Sequence, residues 1–209
     1  MTGSSKAILA IGAIVATVAL VSVTGCGGAI RYPGYYVLDV PAHVPASRQG
    51  KPILGPATVR EFKAPAFLKQ GPIAYRQLPD QLGFYQYHRW AEDPRRAVTS
   101  AMVREMQARG LFQSVDVFDG RGSPAYLVTG NLDHLDEVDK GSDVSVEVGL
   151  SARLINLRTG DVLWQDASSQ TARLEQRSVP GVVAEMSREL GSAVGVLASS
   201  MQDRLVAAQ

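Results

Sequence analysis

The chain of 209 residues contains one cysteine, and its three histidines lie far apart. A lone cysteine excludes an internal disulfide, so the folded part must stand on packing alone. His43, His88 and His134 share no metal-binding or triad-like spacing. Gly-x-Ser-x-Gly, the Walker loop and His-Glu-x-x-His are all missing, which leaves hydrolase, nucleotide and zinc-protease chemistry without a recognisable carrier. No cofactor and no catalytic residue is expected. An excess of one charge is missing too: 21 Lys and Arg face 20 Asp and Glu. That balance argues against a nucleic-acid partner, which needs a concentrated basic face.

What the chain does have is an export signal. Met1 to Lys6 carries one positive charge, Ala7 to Ser22 is apolar apart from scattered Gly, Thr and Ser, and Val23-Thr24-Gly25-Cys26 follows directly. The four residues have the form of a lipobox, with cleavage between Gly25 and Cys26 and lipidation of the Cys26 sulfur, palmitate included. Two or three acyl chains, at about 0.8 kcal/mol per buried methylene, anchor a protein stably where one would be marginal. The competing reading is an uncleaved spanning helix, since about 17 apolar residues is the lower edge of what crosses a bilayer. Small residues before a lone cysteine fit processing better. Cleavage leaves 184 residues (209 − 25), and because Lys6 is the only charge removed the mature side chains balance at 20 against 20. One compact domain is the default at that size.

The expected organisation is a signal peptide over 1–25, a lipidated tether over 26–34 and one domain over 35–209. Gly25, Gly27 and Gly28 straddle the cleavage point and read as flexible tether. Tyr35 to Val40 is a first strand, and Pro41 to Pro56 a long loop. Thr58 to Leu68 is strand-like, confined by Pro65 to an edge or a bulge. Pro72 to Arg76 and Phe84 to Trp90 form a hairpin around Leu78 to Gln81. Asp93-Pro94 then starts a helix, with aspartate capping free amides and proline where its missing donor costs nothing; Gly110 ends it. Ser114 to Phe118 and Ala125 to Leu132 are strands. Asp143 to Leu157 carries the strongest alternation, with Val144, Val146, Val148, Leu150, Ala152 and Leu154 on one face. Thr159-Gly160-Asp161 turns it into Val162 to Leu174. Pro180 to Val206 is a long amphipathic helix. The fold class is therefore α/β of an α+β-like kind: a mixed, largely antiparallel sheet with two long helices packed on it.

Three features invite a functional reading beside a plain one. The acids from Asp133 to Asp143 could attract a cation, but their spacing fits no calcium loop, and a solvated hairpin tip is the expectation. Met102, Met106, Met186 and Met201 could line a lipid groove or fill the core, and core filling is expected. Tyr85, Tyr87 and Trp90 combine apolar area with a polar tip, and with Arg76 and Arg89 they form a candidate partner surface; ordinary sheet packing is the competing account.

The stretch Ala74-Tyr75-Arg76-x-x-Pro79, followed by Phe84-Tyr85-x-Tyr87-His88-Arg89-Trp90-Ala91-Glu92-Asp93-Pro94, adds evidence of another kind. With the lipobox, Tyr35-Tyr36-x-Leu38 and Gly110-Leu111-Phe112, it resembles the ABC-type transport auxiliary lipoprotein component family, the PqiC-like lipoproteins of Gram-negative bacteria. The resemblance spans essentially the whole mature chain. It implies a periplasmic domain similar to the N-terminal domain of TolB. It also implies work beside an MCE-domain protein, a permease and an ATPase in intermembrane lipid transport, as a non-catalytic subunit that docks or completes the conduit and supports membrane integrity. Gly27 rather than aspartate after Cys26 favours the periplasmic face of the outer membrane. A homo-oligomer stays open. The alternative is a stand-alone periplasmic lipoprotein that binds a hydrophobic ligand, or a hydrolase without a recognisable motif.

Overall fold

The computed structural model describes residues 31–41, 51–69, 71–78, 80–141, 143–175 and 177–208. The signal segment, Gly25, Cys26, the tether to Ile30 and His43 lie outside them. From Pro33 onward the chain forms one compact unit.

The spine is three long strands whose sequences alternate. β6 (Tyr126–Asp139), β7 (Val144–Asn156) and β8 (Val162–Arg173) form an antiparallel meander. The six alternating residues read from the sequence are the buried face of β7. The free edge of β6 is shared by two groups of short strands. Its first residues pair in parallel with β2 (Ala57–Val59), which also pairs in parallel with β5 (Val115–Val117). Its last residues pair in parallel with β3 (Pro72–Leu78), which forms a hairpin with β4 (Gln81–Trp90); β1 (Gly34–Tyr36) closes that side, parallel to β4. All eight strands make one mixed sheet, antiparallel in its long ladders and parallel in its short ones. β2 thus lies inside the sheet rather than on an edge. The strand ends at Val59, six residues before Pro65, and the proline instead precedes a 3-10 turn at Ala66–Lys69. The first strand is likewise shorter than expected: Leu38 and Val40 are buried beyond its end.

Two helices cover one face. α1 (Pro94–Arg109) starts and stops as its sequence dictates. The Asp93 carboxylate accepts the Arg95 amide at 3.0 Å, and Gly110 ends the helix at φ 63°, a left-handed conformation that glycine adopts without a Cβ clash. Burial alone would raise the Asp93 pKa, but the Arg95 side chain and amide outweigh it and hold the carboxyl below its ordinary value. α2 (Val179–Ala207) opens behind Ser178, whose hydroxyl caps the Gly181 amide. It buries Val182, Met186, Leu190, Ala193 and Leu197 against the sheet and α1. All four methionines named above are fully covered core residues, so they line no groove. Glu105, on the inward face of α1, is tolerated because Arg109 one turn later reaches it at 2.9 Å and bonds Gln202 and Ser199 of α2. At the far edge the Trp164 indole donates to Ser200, whose hydroxyl donates to Asp166, pinning β8 to α2.

Candidate functional site

The β3–β4 hairpin and the end of β6 bring most of the expected surface residues together, in an arrangement the sequence did not suggest. In the β6–β7 ladder Leu132 faces Leu150, but a bulge at Asp133 puts His134 opposite Gly149. One extra residue reverses the faces beyond it. Glu137 and Asp139 therefore turn to the helix side, opposite Val146 and Val144, while Asp136 turns outward beside Glu147. All three are buried, Asp136 and Glu137 at 0% exposure. The solvated hairpin tip is thus corrected: β6 continues to Asp139 and covers these acids. Among the described residues no group of three His, Cys, Asp or Glu could hold a metal ion.

Each buried acid has a cationic or hydroxylic neighbour. On the helix side the Tyr85 hydroxyl donates to Glu137 Oε2 at 2.6 Å, and the Arg177 Nε lies 3.6 Å from Oε1. Arg177, just before the α2 cap, also donates to Asp139. Burial first, and then the bond to Glu137, push the Tyr85 hydroxyl far above its ordinary pKa, so it is a donor at any physiological pH. The Tyr85 ring packs against Tyr75 and, edge-on, against His88, with centroids 5.2 and 5.6 Å apart. His88 in turn meets the Tyr36 hydroxyl at 2.9 Å. Gly83 is required here, because the Tyr75 ring lies where its Cβ would be. On the outer side Arg76 Nη2 sits 2.8 Å from Asp136 Oδ2, an ion pair without good hydrogen-bond angles, with His134 3.9 Å from the other oxygen. Burial raises the Asp136 pKa despite the pull of Arg76.

The five expected partner-surface residues therefore separate. Arg76 and Tyr85 are committed to buried acids. Trp90, 5% exposed, is core, which corrects its place on a surface: the strand turns it inward beside Tyr36. Tyr87 and Arg89 remain accessible. Sequence reasoning missed Arg177 and the roles of Glu137 and Asp139; the two acidic positions were visible, but their direction depended on the bulge.

The outer face also carries exposed apolar groups. Tyr35 of β1 lies opposite Arg89 in the parallel register, with Tyr87 two residues before Arg89 on the same strand. Tyr35, Val37, Phe84 and Tyr87 are all exposed, and Phe84 leans on Phe67 of the 3-10 turn with ring centroids 6.5 Å apart. Elsewhere on the sheet an open groove of about 510 Å³ is lined by polar groups that include Arg60, Lys63, Asn131, Ser151 and Arg153. Among the described residues no helix is long and apolar enough to cross a membrane.

Comparison with known proteins places this architecture. A Xanthomonas campestris protein of known crystal structure shares the fold at a TM-score of 0.70 and 15% identity, over 84% of this chain and 99% of its own. A second crystal structure, of a protein without a described function, matches at a TM-score of 0.63 and 12% identity, over 80% and 97%. No curated protein matches the sequence significantly. A family model described as ABC-type transport auxiliary lipoprotein component matches residues 36–198, from the end of β1 to the last third of α2. The chain belongs to the ABC-type transport auxiliary lipoprotein component family.

Proposed function

We propose that this protein is a lipid-anchored, non-catalytic subunit of an MCE-type ABC lipid transport system, held at the periplasmic face of the outer membrane. There it docks the transport conduit or completes it. The observation that carries this reading is the family match over residues 36–198, joined in one chain to the lipobox that ends at Cys26. The folded domain supports a structural role. Its buried acids Asp136, Glu137 and Asp139 each lie against an arginine, and the groove on its outer face is open and polar rather than an enclosed apolar cavity. A lipidated subunit of this kind needs a stable platform, which the eight-stranded sheet supplies.

Affinity-tagged full-length protein, extracted in mild detergent, is expected to bring down an MCE-domain protein. Deleting the gene is expected to weaken the outer membrane against bile salts. Failure of the folded, anchored protein to recover any MCE-domain partner overturns the reading.

A further inference from the structure

The β1 and β4 strands carry a set of exposed apolar side chains, of which Phe84 alone leans on another ring, that of Phe67. Tyr35 is 64% and Val37 56% exposed, with Phe84 at 39% and Tyr87 at 36%. The parallel register sets Tyr35 beside Arg89, and Tyr87 stands two residues before Arg89 on β4, just past a register shift in its ladder with β3. Tyr35 and Val37 lie at the start of the folded domain, and β1 pairs with the end of β4 that follows Tyr87. Only eight positions separate Gly34 from Cys26, a span of at most about 29 Å when fully extended. Chain length alone thus keeps β1 within that distance of the lipid that the lipobox is expected to attach, while β7 and β8 lie at the other side of the sheet from β1. Tyrosine rings favour the boundary between headgroups and acyl chains, with the ring in the apolar layer and the hydroxyl in the wet one. Arg31 and Arg89, flanking the strip in sequence and in register, match anionic headgroups.

We infer that Tyr35, Val37, Phe84 and Tyr87 form a membrane-facing edge that lies against the bilayer interface. The domain is then held in one orientation by its surface as well as by its tether. The inference rests on lipidation of Cys26. It goes beyond the transport role by assigning this strip to lipid, leaving the remaining surfaces for protein partners.

The chain itself offers the test. Cys26 is its only cysteine, so in the lipidated protein Tyr35→Cys or Tyr87→Cys supplies a unique free thiol. Each is labelled with an environment-sensitive nitrobenzoxadiazole dye and reconstituted in phosphatidylethanolamine–phosphatidylglycerol vesicles with and without doxyl-labelled lipid. Gln165→Cys, exposed on the opposite edge strand, is the control. Emission at positions 35 and 87 is expected to fall at least about twofold with doxyl lipid, and emission at 165 to stay unchanged. Vesicle-bound protein whose labels at 35 and 87 behave like the label at 165 overturns the membrane edge while leaving the anchor intact. A blue shift at 35 that persists in detergent and grows with protein concentration assigns the strip to a second copy and also overturns it. Dye uptake by the unmutated protein means that Cys26 is free, which removes the anchor and this inference together but leaves the family assignment standing.

Discussion

Glu137 has no solvent exposure, and two groups reach it: a tyrosine hydroxyl at 2.6 Å and an arginine at 3.6 Å. A buried carboxylate deprived of a donor bears the desolvation cost that the donor had offset. Tyr85→Phe removes the shorter contact while keeping the ring stacked on Tyr75, and is expected to cost about 1–3 kcal/mol in urea unfolding. An unchanged midpoint would mean that Arg177 alone satisfies the acid. Asp136 gives a prediction of opposite character. Its pKa is raised by burial, so over the window above the ordinary 3.8 the folded state keeps a proton that the unfolded state has released. Its contribution to stability therefore declines as pH rises through that window. Asn cannot ionise, so the melting temperature of Asp136→Asn relative to wild type is expected to rise from about pH 4 to about pH 7. A difference that stays flat, or falls, would show that Arg76 dominates instead. Arg76, Tyr85 and the acids were all visible in the sequence. Which acid met which partner was not, because a single unpaired residue at Asp133 decides it.

At the level of elements, α1 was the most legible, since its cap, its N1 proline and its terminal glycine act through neighbours in sequence. β7 was nearly as clear because period-two burial over 13 residues has no helical counterpart. The short strands were harder. β2 has three residues and owes its existence to the two strands beside it, so local pattern misplaces its end. Gly130 shows the same dependence. In β6 it leaves room for the Phe62 ring, and an added Cβ would also come within 2.6 Å of the Ser151 carbonyl oxygen. Backbone cannot step aside as a side chain can. Gly130→Ala is expected to destabilise by about 1–3 kcal/mol, and by more than alanine at Gly55, whose added Cβ would make only ordinary contacts, 3.5 Å from Ala125. Differential scanning calorimetry of the two variants tests the order, which would be wrong if Gly55→Ala melted lower.

At the scale of the whole molecule, the lipid address expected at Cys26 can be tested apart from the fold. Cys26 precedes the compact unit that begins at Pro33 and lies outside the described residues. Cys26→Ala is expected to move the protein from the membrane to the soluble fraction with an unchanged circular dichroism spectrum and melting temperature. Retention in the membrane fraction would restore the spanning-helix reading of residues 7–22. The sheet itself is asymmetric. Its long β7–β8 side meets α2, and its other side ends in the β1–β4 edge with its exposed aromatic residues. That asymmetry gives one domain two distinct edges.

The sequence by itself determined the lipobox, the two helices with their ends, the long alternating strands and the family, since each depends on residues close together in the chain or on motif order. Only the tertiary structure decided that β2 lies inside the sheet, that Trp90 is core, and that Asp136, Glu137 and Asp139 are buried with Arg76, Tyr85 and Arg177 around them. Those outcomes turn on pairing between distant strands. A one-residue bulge there exchanges inside for outside, and no local pattern of polarity records it.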